Sequence, residues 1–418
     1  MNKRMSILII FFGLIFGQNS LLSLYGFGEH INSYDASSIG LGDSKFFSLN
    51  YNGLALSSPS SLSKNDLSFL SMTTNFSKIE AKKLDKLNSN IFHFLSYAFP
   101  VSNKTYLSIG LNPLFRTNMY IEENQYNIYG ADESPIDTNY DGVNDAVAYK
   151  NTYDFIGGVS EFHISFSNKI SDNIYFGLKV GRLFGTSKRD YSLNFYSITF
   201  DQNGNFNAYN LFSSQNTQDI HKYSSINYNF DLRFSIPYLD NENEFVIMYG
   251  ESDQMKVEVN SDLSEAIQIF YSTNIMSENG FGFKINRNKN NGFIFEYHNL
   301  ESFESPANIN LFNNDYPNML SYHFGVFNTV VNSKKSFWNS SIISAGLYFK
   351  DYTLNNNKIK DFGLTLGLGI KYLKRNTFNV GFKMGKRESD FYDMHDEKYF
   401  KLYITLISTE KWFINRKE

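Results

Sequence analysis

Residues 362–372 read Phe-Gly-Leu-Thr-Leu-Gly-Leu-Gly-Ile-Lys-Tyr, with a large apolar side chain at every second position and a small or polar residue between. Because side chains alternate between the two faces of a β-strand, this stretch predicts a strand with one continuous apolar face. Residues 378–385 repeat the pattern as Phe-Asn-Val-Gly-Phe-Lys-Met-Gly. Such a strand packs its apolar face either into the core of a soluble sandwich or against the lipid around a membrane barrel.

The same alternation marks fourteen strand-length segments along the chain. Six short polar turns alternate with seven longer connections, such as 112–151 and 185–224. Barrels of the bacterial outer membrane have an even number of antiparallel strands, short periplasmic turns and longer external loops. The pattern therefore predicts an all-β protein, an antiparallel transmembrane β-barrel of about 14 strands with both chain ends in the periplasm. The segments are 67–72, 91–99, 106–111, 162–166, 174–180, 228–236, 245–249, 281–285, 293–297, 322–327, 343–349, 362–372, 378–385 and 400–406.

The faces that alternate with the apolar rows carry charged residues, which we expect to face the lumen. Burying so many ions in a sandwich core would be costly, whereas a hydrated lumen accepts them and lets opposite charges pair. A soluble sandwich stays an alternative if these faces are its solvent side, since antiparallel sheets commonly alternate in this way. The residues expected in the lumen are Lys179, Asp231, Arg233, Lys284, Glu296, Lys371 and Lys383.

The composition excludes several classes of protein. The chain has 418 residues but only 7 prolines, and no linker-like stretch lies between the strands. We therefore predict a single domain. A net charge of -4 gives no sign of a basic surface patch, so we expect no nucleic-acid partner. The chain has no cysteine, which excludes disulfides, Cys zinc sites and a thiol nucleophile.

The chain opens with Lys3 and Arg4 before an apolar core at residues 7–16. A basic stretch before a short apolar core is typical of a secretory signal peptide, and the core is short for a transmembrane helix. We predict a signal peptide over 1–23, a plug over 24–65, the barrel over 66–413 and a periplasmic tail over 414–418. An uncleaved membrane anchor is the alternative for the first segment.

The last amphipathic segment, residues 399–413, ends on the aromatic pair Trp412 and Phe413. It resembles the C-terminal signal by which outer-membrane barrels are passed to the barrel-assembly machinery, although five residues follow the pair. The resemblance implies that this machinery is a partner. We expect the pair to lie in the aromatic girdle, where the strand leaves the lipid.

Short motifs after the signal peptide resemble a known family of barrels. Residues 38–43 read Ser-Ile-Gly-Leu-Gly-Asp, and residues 51–55 read Tyr-Asn-Gly-Leu-Ala. They are similar to the start of the long-chain fatty-acid transporter (FadL/TodX-like) and PorV/PorQ-like barrels, where a glycine-rich stretch precedes an Asn-Pro-Ala-Gly-Leu element. The Asn-Pro-Ala part of that element is missing here.

In the fatty-acid transporter family this segment forms a plug inside a fourteen-stranded barrel, with a lateral opening in the wall. The resemblance implies a plug, or hatch, in this chain, with glycines that suit tight turns and close backbone approach. The residues assigned to the plug are Gly26, Gly28, Gly40, Gly42, Asn52, Gly53 and Pro59.

The resemblance implies a monomeric, passive channel for small hydrophobic molecules such as fatty acids, in the outer membrane of a Gram-negative-type bacterium. Outer-membrane lipid and a small hydrophobic ligand would be its partners, and we expect neither a catalytic activity nor a bound cofactor other than calcium. The alternative is a PorV/PorQ-like barrel that docks secreted or surface proteins. A barrel hydrolase is a third hypothesis, with His221 and His395 as the candidates, although spacing identifies no catalytic triad.

Residues 137–145 form the sharpest local motif, Asp-Thr-Asn-Tyr-Asp-Gly-Val-Asn-Asp. Oxygen atoms at alternate positions converge on a hard cation in calcium loops of this kind, and the glycine permits the turn. The motif resembles the loops of thrombospondin type 3 repeats and the first half of an EF-hand. It predicts a weak structural calcium site at Asp137, Asn139, Asp141 and Asp145, with a polar turn as the alternative.

Isothermal titration of the refolded protein with calcium tests this site. We expect heat of binding for the natural sequence and a large loss of it for Asp141→Ala, because the substitution removes one of the ligands. Equal, negligible heats for the two proteins would remove the calcium site.

Overall fold

The computed structural model describes the chain over residues 22, 28–49, 54–81, 87–128, 146–200, 206–238, 241–262, 268–273, 276–288, 290–302, 318–331, 340–354, 357–372, 376–389 and 396–410. The N-terminal part contains strand β1 (Glu29–His30), helix α1 (Ala36–Ile39) and a 3₁₀ helix (Pro59–Lys64). The strands that follow are β2 (Ser68–Ala81), β3 (Leu87–Pro100), β4 (Thr105–Ile128), β5 (Ala146–Ser171), β6 (Ile174–Phe200), β7 (Phe206–Tyr238), β8 (Asn241–Ser252), β9 (Met255–Ser261), β10 (Gln268–Thr273), β11 (Met276–Asn286), β12 (Asn291–Ser302), β13 (Asn318–Val331), β14 (Ser340–Leu354), β15 (Asn357–Tyr372), β16 (Asn376–Ser389) and β17 (Glu397–Glu410).

Fourteen strands close into an antiparallel barrel, which confirms the predicted fold class and strand number. They are β2 to β8 and β11 to β17; β8 pairs with β11, and β17 pairs with β2 to complete the ring. The register joins Ser68 to Glu410, so the first and last strands share the rim that carries the short turns. The start of β2 and the end of β17 therefore lie on the same side of the barrel, as the alternating connections predicted.

The apolar rows point away from the enclosed space. On β15, Leu364 and Leu366 are 51% and 49% exposed, whereas Thr365 between them is 1% exposed. Outward-facing Phe324, Leu347 and Phe400 on neighbouring strands are exposed in the same way. An apolar face without a covering sheet is the arrangement of a lipid-facing barrel wall, so the sandwich alternative is wrong.

The N-terminal segments 28–49 and 54–65 lie inside the barrel and form its plug. Almost all of their side chains are buried, and β1 adds to the inner side of β4 by pairing Glu29 with Arg116 and His30 with Phe115. The side chain of Asp35 caps α1 by accepting hydrogen bonds from the backbone N–H groups of Ser37 and Ser38, each at 3.0 Å. None of the described helices is long and apolar enough to cross a membrane.

Four neighbouring strands are much longer than the others. Strands β4, β5, β6 and β7 have 24, 26, 27 and 33 residues, whereas β2, β3, β16 and β17 have 14 each. At about 3.3 Å per residue, the twelve or so additional residues add roughly 40 Å of strand beyond the external rim. The β9–β10 hairpin extends this sheet, because β9 pairs with the upper part of β7. We call the upper parts of β4 to β7 with β9 and β10 the external wall.

The external wall corrects the predicted loops. The connections expected at 112–151 and 185–224 are largely strand, since β4 and β5 pair as far as Ile128 and Val147 and β6 and β7 pair as far as Phe200 and Phe206. Polar residues and serines interrupt the apolar alternation there because both faces of the sheet lie outside the lipid. The alternation rule identifies only the part of a strand that has one face in hydrocarbon.

Candidate functional site

The turn after α1 carries a buried carboxylate into the centre of the lumen. Gly42 and Asp43 have φ angles of 81° and 63°, in the left-handed region that glycine adopts at little cost. A Cβ on Gly42 would lie 2.4 Å from the carbonyl oxygen of Phe324, so no side chain fits between the plug and the wall at this position. The turn directs Asp43 toward β14 and β16.

Asp43 is held by two lysines of the wall. Its Oδ2 accepts hydrogen bonds from Nζ of Lys350 and Nζ of Lys383, both at 2.8 Å. Ser33 of the plug donates to Oδ1 of the same carboxylate. All of these side chains are buried. Removing them from water is costly, so they are tolerated because each charge has a partner.

Arg387 on β16 gathers three carboxylates around one guanidinium group. It donates to Asp361 at 3.0 Å, to Glu397 at 2.9 Å and to Glu29 of the plug strand β1. Glu29 also accepts a hydrogen bond from Lys401 at 2.7 Å. We call the contacts of Glu29 and Asp43 with Lys350, Lys383, Arg387 and Lys401 the plug lock.

Glu296 on β12, two strands from β14, binds the backbone of the plug. Its carboxylate accepts the N–H groups of Lys45 at 2.8 Å and Phe46 at 3.1 Å, and it also accepts a hydrogen bond from the hydroxyl of Ser44. Nε2 of His298 lies 2.9 Å from the same carboxylate. The wall side chain therefore satisfies backbone donors that an irregular, buried segment would otherwise leave unpaired.

The 3₁₀ helix is anchored near the short turns. Asp231 accepts the N–H of Ser60 at 3.0 Å and its hydroxyl at 2.6 Å. Arg233, two residues along β7, pairs with Glu244 and donates to the carbonyl oxygen of Phe46 at 2.7 Å. Lys284 of β11 reaches Glu244 at 3.2 Å, which joins the anchor to a third strand.

Lys179 on β6 provides a further contact between the wall and the plug. Its Nζ lies 3.0 Å from Glu161 on β5 and 3.4 Å from the hydroxyl of Tyr34 in the plug. Tyr34 in turn donates to Glu161 at 3.2 Å. The plug is thus held by charged or polar contacts on both sides of the lumen.

The structure places the predicted lumen residues unevenly. Six of them face the plug or its ion pairs: Lys179, Asp231, Arg233, Lys284, Glu296 and Lys383. Lys371 continues the inward row of β15 but is exposed next to a turn, away from the plug. The expected hydrated lumen is also wrong in the region of the plug, where Lys179, Arg233 and Glu296 are at most 4% exposed.

Other predicted residues divide between the plug and the part of the chain outside the described residues. Gly28, Gly40, Gly42 and Pro59 lie in the plug. Gly26, Asn52, Gly53, the calcium motif (Asp137, Asn139, Asp141, Asp145) and the aromatic pair (Trp412, Phe413) lie outside the described residues. Within the described residues, no group of three or more histidine or acidic side chains could hold a metal ion.

Several side chains that hold the plug were not predicted from the sequence, although the alternation pattern marks some of them as inward-facing. Lys401, Glu397 and Arg387 occupy the small or polar alternate positions of their strands, so the parity of the alternation marks them as inward-facing. Glu29 and Asp43 carry no such signal. Their role as counter-charges depends on the fold, which packs the plug against the wall.

The barrel wall is interrupted beside β1. Strand β3 pairs with β4 only from Leu95 to Pro100, and above this point β4 pairs with the plug strand β1 instead. The backbone N–H of Ile31 donates to the carbonyl oxygen of Leu114 at 2.9 Å, which continues the attachment. The plug therefore closes the side of the barrel as well as its lumen.

Backbone irregularities cluster at this interruption. The β2–β3 register skips His93, and the β4–β5 register skips Leu114, which are the positions of two β-bulges. On the adjacent β5, Gly157 and Gly158 have φ angles of 136° and 135°, which other residues rarely adopt. Bulges bend and re-aim strands, so these features account for the divergence of β3 from β4.

A cluster of buried apolar side chains crosses the barrel on the external side of the plug. It brings Phe115 beside the interruption together with residues of the external wall and of the opposite strands. A cavity of about 50 Å³ lies next to it, lined by side chains that include His30, Leu114, Phe115 and Leu183. The cluster consists of Leu22, Phe115, Val159, Leu183, Tyr223, Met255, Val257, Val259, Met276, Leu300, Met319, Tyr352 and Ile359.

The hydrolase candidate His221 lies in the external wall. Neither of its ring nitrogens has a hydrogen-bond partner among the described residues, so no serine or acid of this region orients it as a catalytic base. His221 therefore does not support the third hypothesis, and the other candidate, His395, lies outside the described residues.

A sequence model of the BamG family matches residues 1–418. The chain belongs to the BamG family. Among curated proteins, no sequence matches this BamG-family chain.

Two solved structures illustrate the fold that this chain shares with known channels. The CymD monoaromatic hydrocarbon channel has 10% sequence identity and a TM-score of 0.53, with 91% of this chain and 98% of that chain covered. A Pseudomonas aeruginosa FadL homologue has 11% identity and a TM-score of 0.54, with 92% and 100% covered. The predicted resemblance to FadL/TodX-like barrels is confirmed, and at this identity the likeness establishes the fold alone.

Removing the charge of Arg387 should weaken the plug lock. In an Arg387→Met variant three buried carboxylates lose a partner, and breaking a buried pair in this way costs about 3–5 kcal/mol. We expect a lower free energy of unfolding and a higher ion conductance of planar bilayers that contain the purified barrel.

Lys188→Met is the matched control, because Lys188 pairs with Asp190 at 2.6 Å on a partly exposed part of β6. An exposed pair of this kind contributes at most about 1 kcal/mol. If the Arg387→Met and Lys188→Met barrels have equal stability and conductance, the plug lock does not hold the plug.

Proposed function

We propose that this BamG-family barrel is a docking subunit of the barrel-assembly machinery in the outer membrane of a Gram-negative-type bacterium. The observation that carries the proposal is the external wall, a sheet that rises from one side of a barrel whose lumen is closed. The Bam designation of the family, which refers to the barrel-assembly machinery, supports this assignment. It shares a docking role with the PorV/PorQ-like alternative that the resemblance implied, but its partner is the assembly machinery instead of a secreted or surface protein.

The plug fills the described part of the lumen, which argues for a support rather than a pore. Within that part, the cavity of about 50 Å³ beside the plug has room for a few water molecules but not for a fatty-acid chain. Buried ion pairs on several strands fix the plug. Partial withdrawal of the plug would leave buried charges of the wall without partners, which is costly. The barrel is thus a rigid base on which the external wall stands.

The external wall has the features of a binding surface. Its height places both faces of the sheet beyond the lipid, so lipid does not cover its apolar side chains. Leu211 and Phe212 near the start of β7 are 56% and 42% exposed, and the adjacent β6 contributes Phe195 within ring contact of Phe212. Exposed apolar and aromatic residues grouped on a rigid element commonly mark a protein interface.

A Leu211→Asp/Phe212→Asp variant tests the docking role. Burying two new carboxylates in an interface is unfavourable, so we expect a several-fold loss of the central barrel subunit of the machinery when the variant is purified from membranes in mild detergent. Depletion of the protein should also lower the amounts of other outer-membrane barrels.

Thr353→Asp/Lys358→Asp is the matched control, since these exposed register partners of β14 and β15 lie on the low rim opposite the wall. Undiminished recovery of the machinery with the wall variant, together with normal barrel levels after depletion, would refute the docking function.

A second candidate is the passive channel for small hydrophobic molecules such as fatty acids. The interruption between β3 and β4, with its bulges and the adjoining apolar cluster, favours this function because it provides a lateral route once β1 moves. The names of CymD and of the FadL homologue add support, since CymD is called a monoaromatic hydrocarbon channel.

A disulfide across the interruption tests the channel. The chain has no cysteine, so His30→Cys/Phe115→Cys joins the register partners of β1 and β4 without side reactions. If the channel operates, liposomes that contain the reduced variant take up a labelled fatty acid, and oxidation stops the uptake because β1 can no longer leave β4.

The pair Thr377→Cys/Ile407→Cys, on β16 and β17, is the control in which oxidation should have no effect. Absence of uptake by both the natural and the reduced proteins would exclude the passive channel while leaving the docking function intact.

A further inference from the structure

An apolar groove of about 850 Å³ runs along the outer surface of β13 to β17. Its apolar side chains face outward and are between 36% and 53% exposed. The groove reaches the backbone between the outward-facing Phe362, Leu364 and Met384, at the level where Gly363 and Gly385 pair across β15 and β16. The apolar lining consists of Phe324, Leu347, Phe349, Phe362, Leu364 and Met384.

Two lysines stand at the external end of this groove. Lys386 of β16 and Lys398 of β17 line it and are direct register partners. Like charges that face each other across two strands repel, so an anion between them would be stabilised. Phe362 and Phe349 lie in the same register row, which places the lysines at the level where the apolar band ends.

Nearby acids leave this pair available for an anionic ligand. Nζ of Lys386 lies 2.7 Å from Glu388 and 2.9 Å from Asp396, both farther from the groove, and these partly exposed pairs contribute at most about 1 kcal/mol each. Glu80 faces Lys398 in the register, but it pairs with Lys78 at 2.8 Å. Lys398 has no ion pair among the described residues.

We propose that this groove binds one phosphorylated acyl lipid of the external leaflet. An acyl chain lies along Leu347, Leu364 and Met384, and the phosphate group bridges Lys386 and Lys398. The occupant follows from the position of the groove: it is apolar along its length, it faces the lipid, and cationic side chains stand only at its external end among the lining residues. Lysines at the membrane surface attract anionic headgroups in this way.

Native mass spectrometry of the delipidated full-length protein with added diphosphoryl lipid A tests the proposal. We expect one tightly bound lipid, and binding roughly tenfold weaker or more for Lys386→Gln/Lys398→Gln, because both headgroup contacts are lost. Dephosphorylated lipid A should bind the natural protein as weakly as diphosphoryl lipid A binds this variant. Inorganic phosphate alone should not compete, because it lacks the acyl chain.

The matched control is Lys188→Gln/Lys222→Gln, which removes two outward lysines from the opposite side of the barrel, each with one exposed ion pair. It should bind the lipid as the natural protein does. A second variant, Leu364→Trp, fills the groove without a change of charge and should also weaken binding, whereas Leu178→Trp on β6 should not.

Equal binding by the Lys386→Gln/Lys398→Gln and control proteins would overturn the proposal, as would equal binding of the phosphorylated and dephosphorylated lipids. A photo-crosslinker at Leu364 that captures a membrane protein instead of lipid in cells would also overturn it. None of these outcomes depends on the docking function, because that function rests on the external wall.

Discussion

The cost of removing charge from water governs the interior of this barrel. Lys350, Lys383, Arg387 and Lys401 point into the lumen from β14, β16 and β17, and none of them could stay ionised there without a counter-charge or bulk water. The plug supplies counter-charges to all four through Glu29 and Asp43, and Arg387 also pairs with Asp361 and Glu397 of the wall. Plug and wall are therefore complementary, and each depends on the other for its stability.

The same dependence explains how the barrel tolerates a break in its wall. Between β3 and β4 the ladder of hydrogen bonds stops, and an unpaired strand edge at membrane depth would be costly. Strand β1 covers the edge of β4, and its Glu29 is fixed in turn by Arg387 on β16, four strands away around the ring. An ion pair with a different part of the wall thus helps to hold the closure beside β4.

A barrel closed in this way is a stiff platform, and the long strands β4 to β7 extend that platform beyond the lipid. Continuous hydrogen bonding carries the stiffness of the membrane part into the external wall, as the unbroken β6–β7 register shows from Phe234 to Ser214. A surface presented in this way has a fixed orientation relative to the membrane. Such a geometry suits the recognition of a partner that lies in the same membrane.

The sequence by itself determined the parts of the structure that obey a local rule. Alternation of side chains across a strand revealed the outward apolar rows, the strand number and the inward direction of residues such as Lys179 and Lys383. It did so because one face of every strand meets hydrocarbon, which imposes the same pattern each time. Only the tertiary structure decided that Glu29 meets Arg387, that β1 replaces β3 beside β4, and that β4 to β7 continue as a wall outside the membrane. These features join residues that are far apart in the chain or lie where no lipid acts on the sequence, so their physical cause is the pairing of distant charges and backbone groups rather than a repeating pattern.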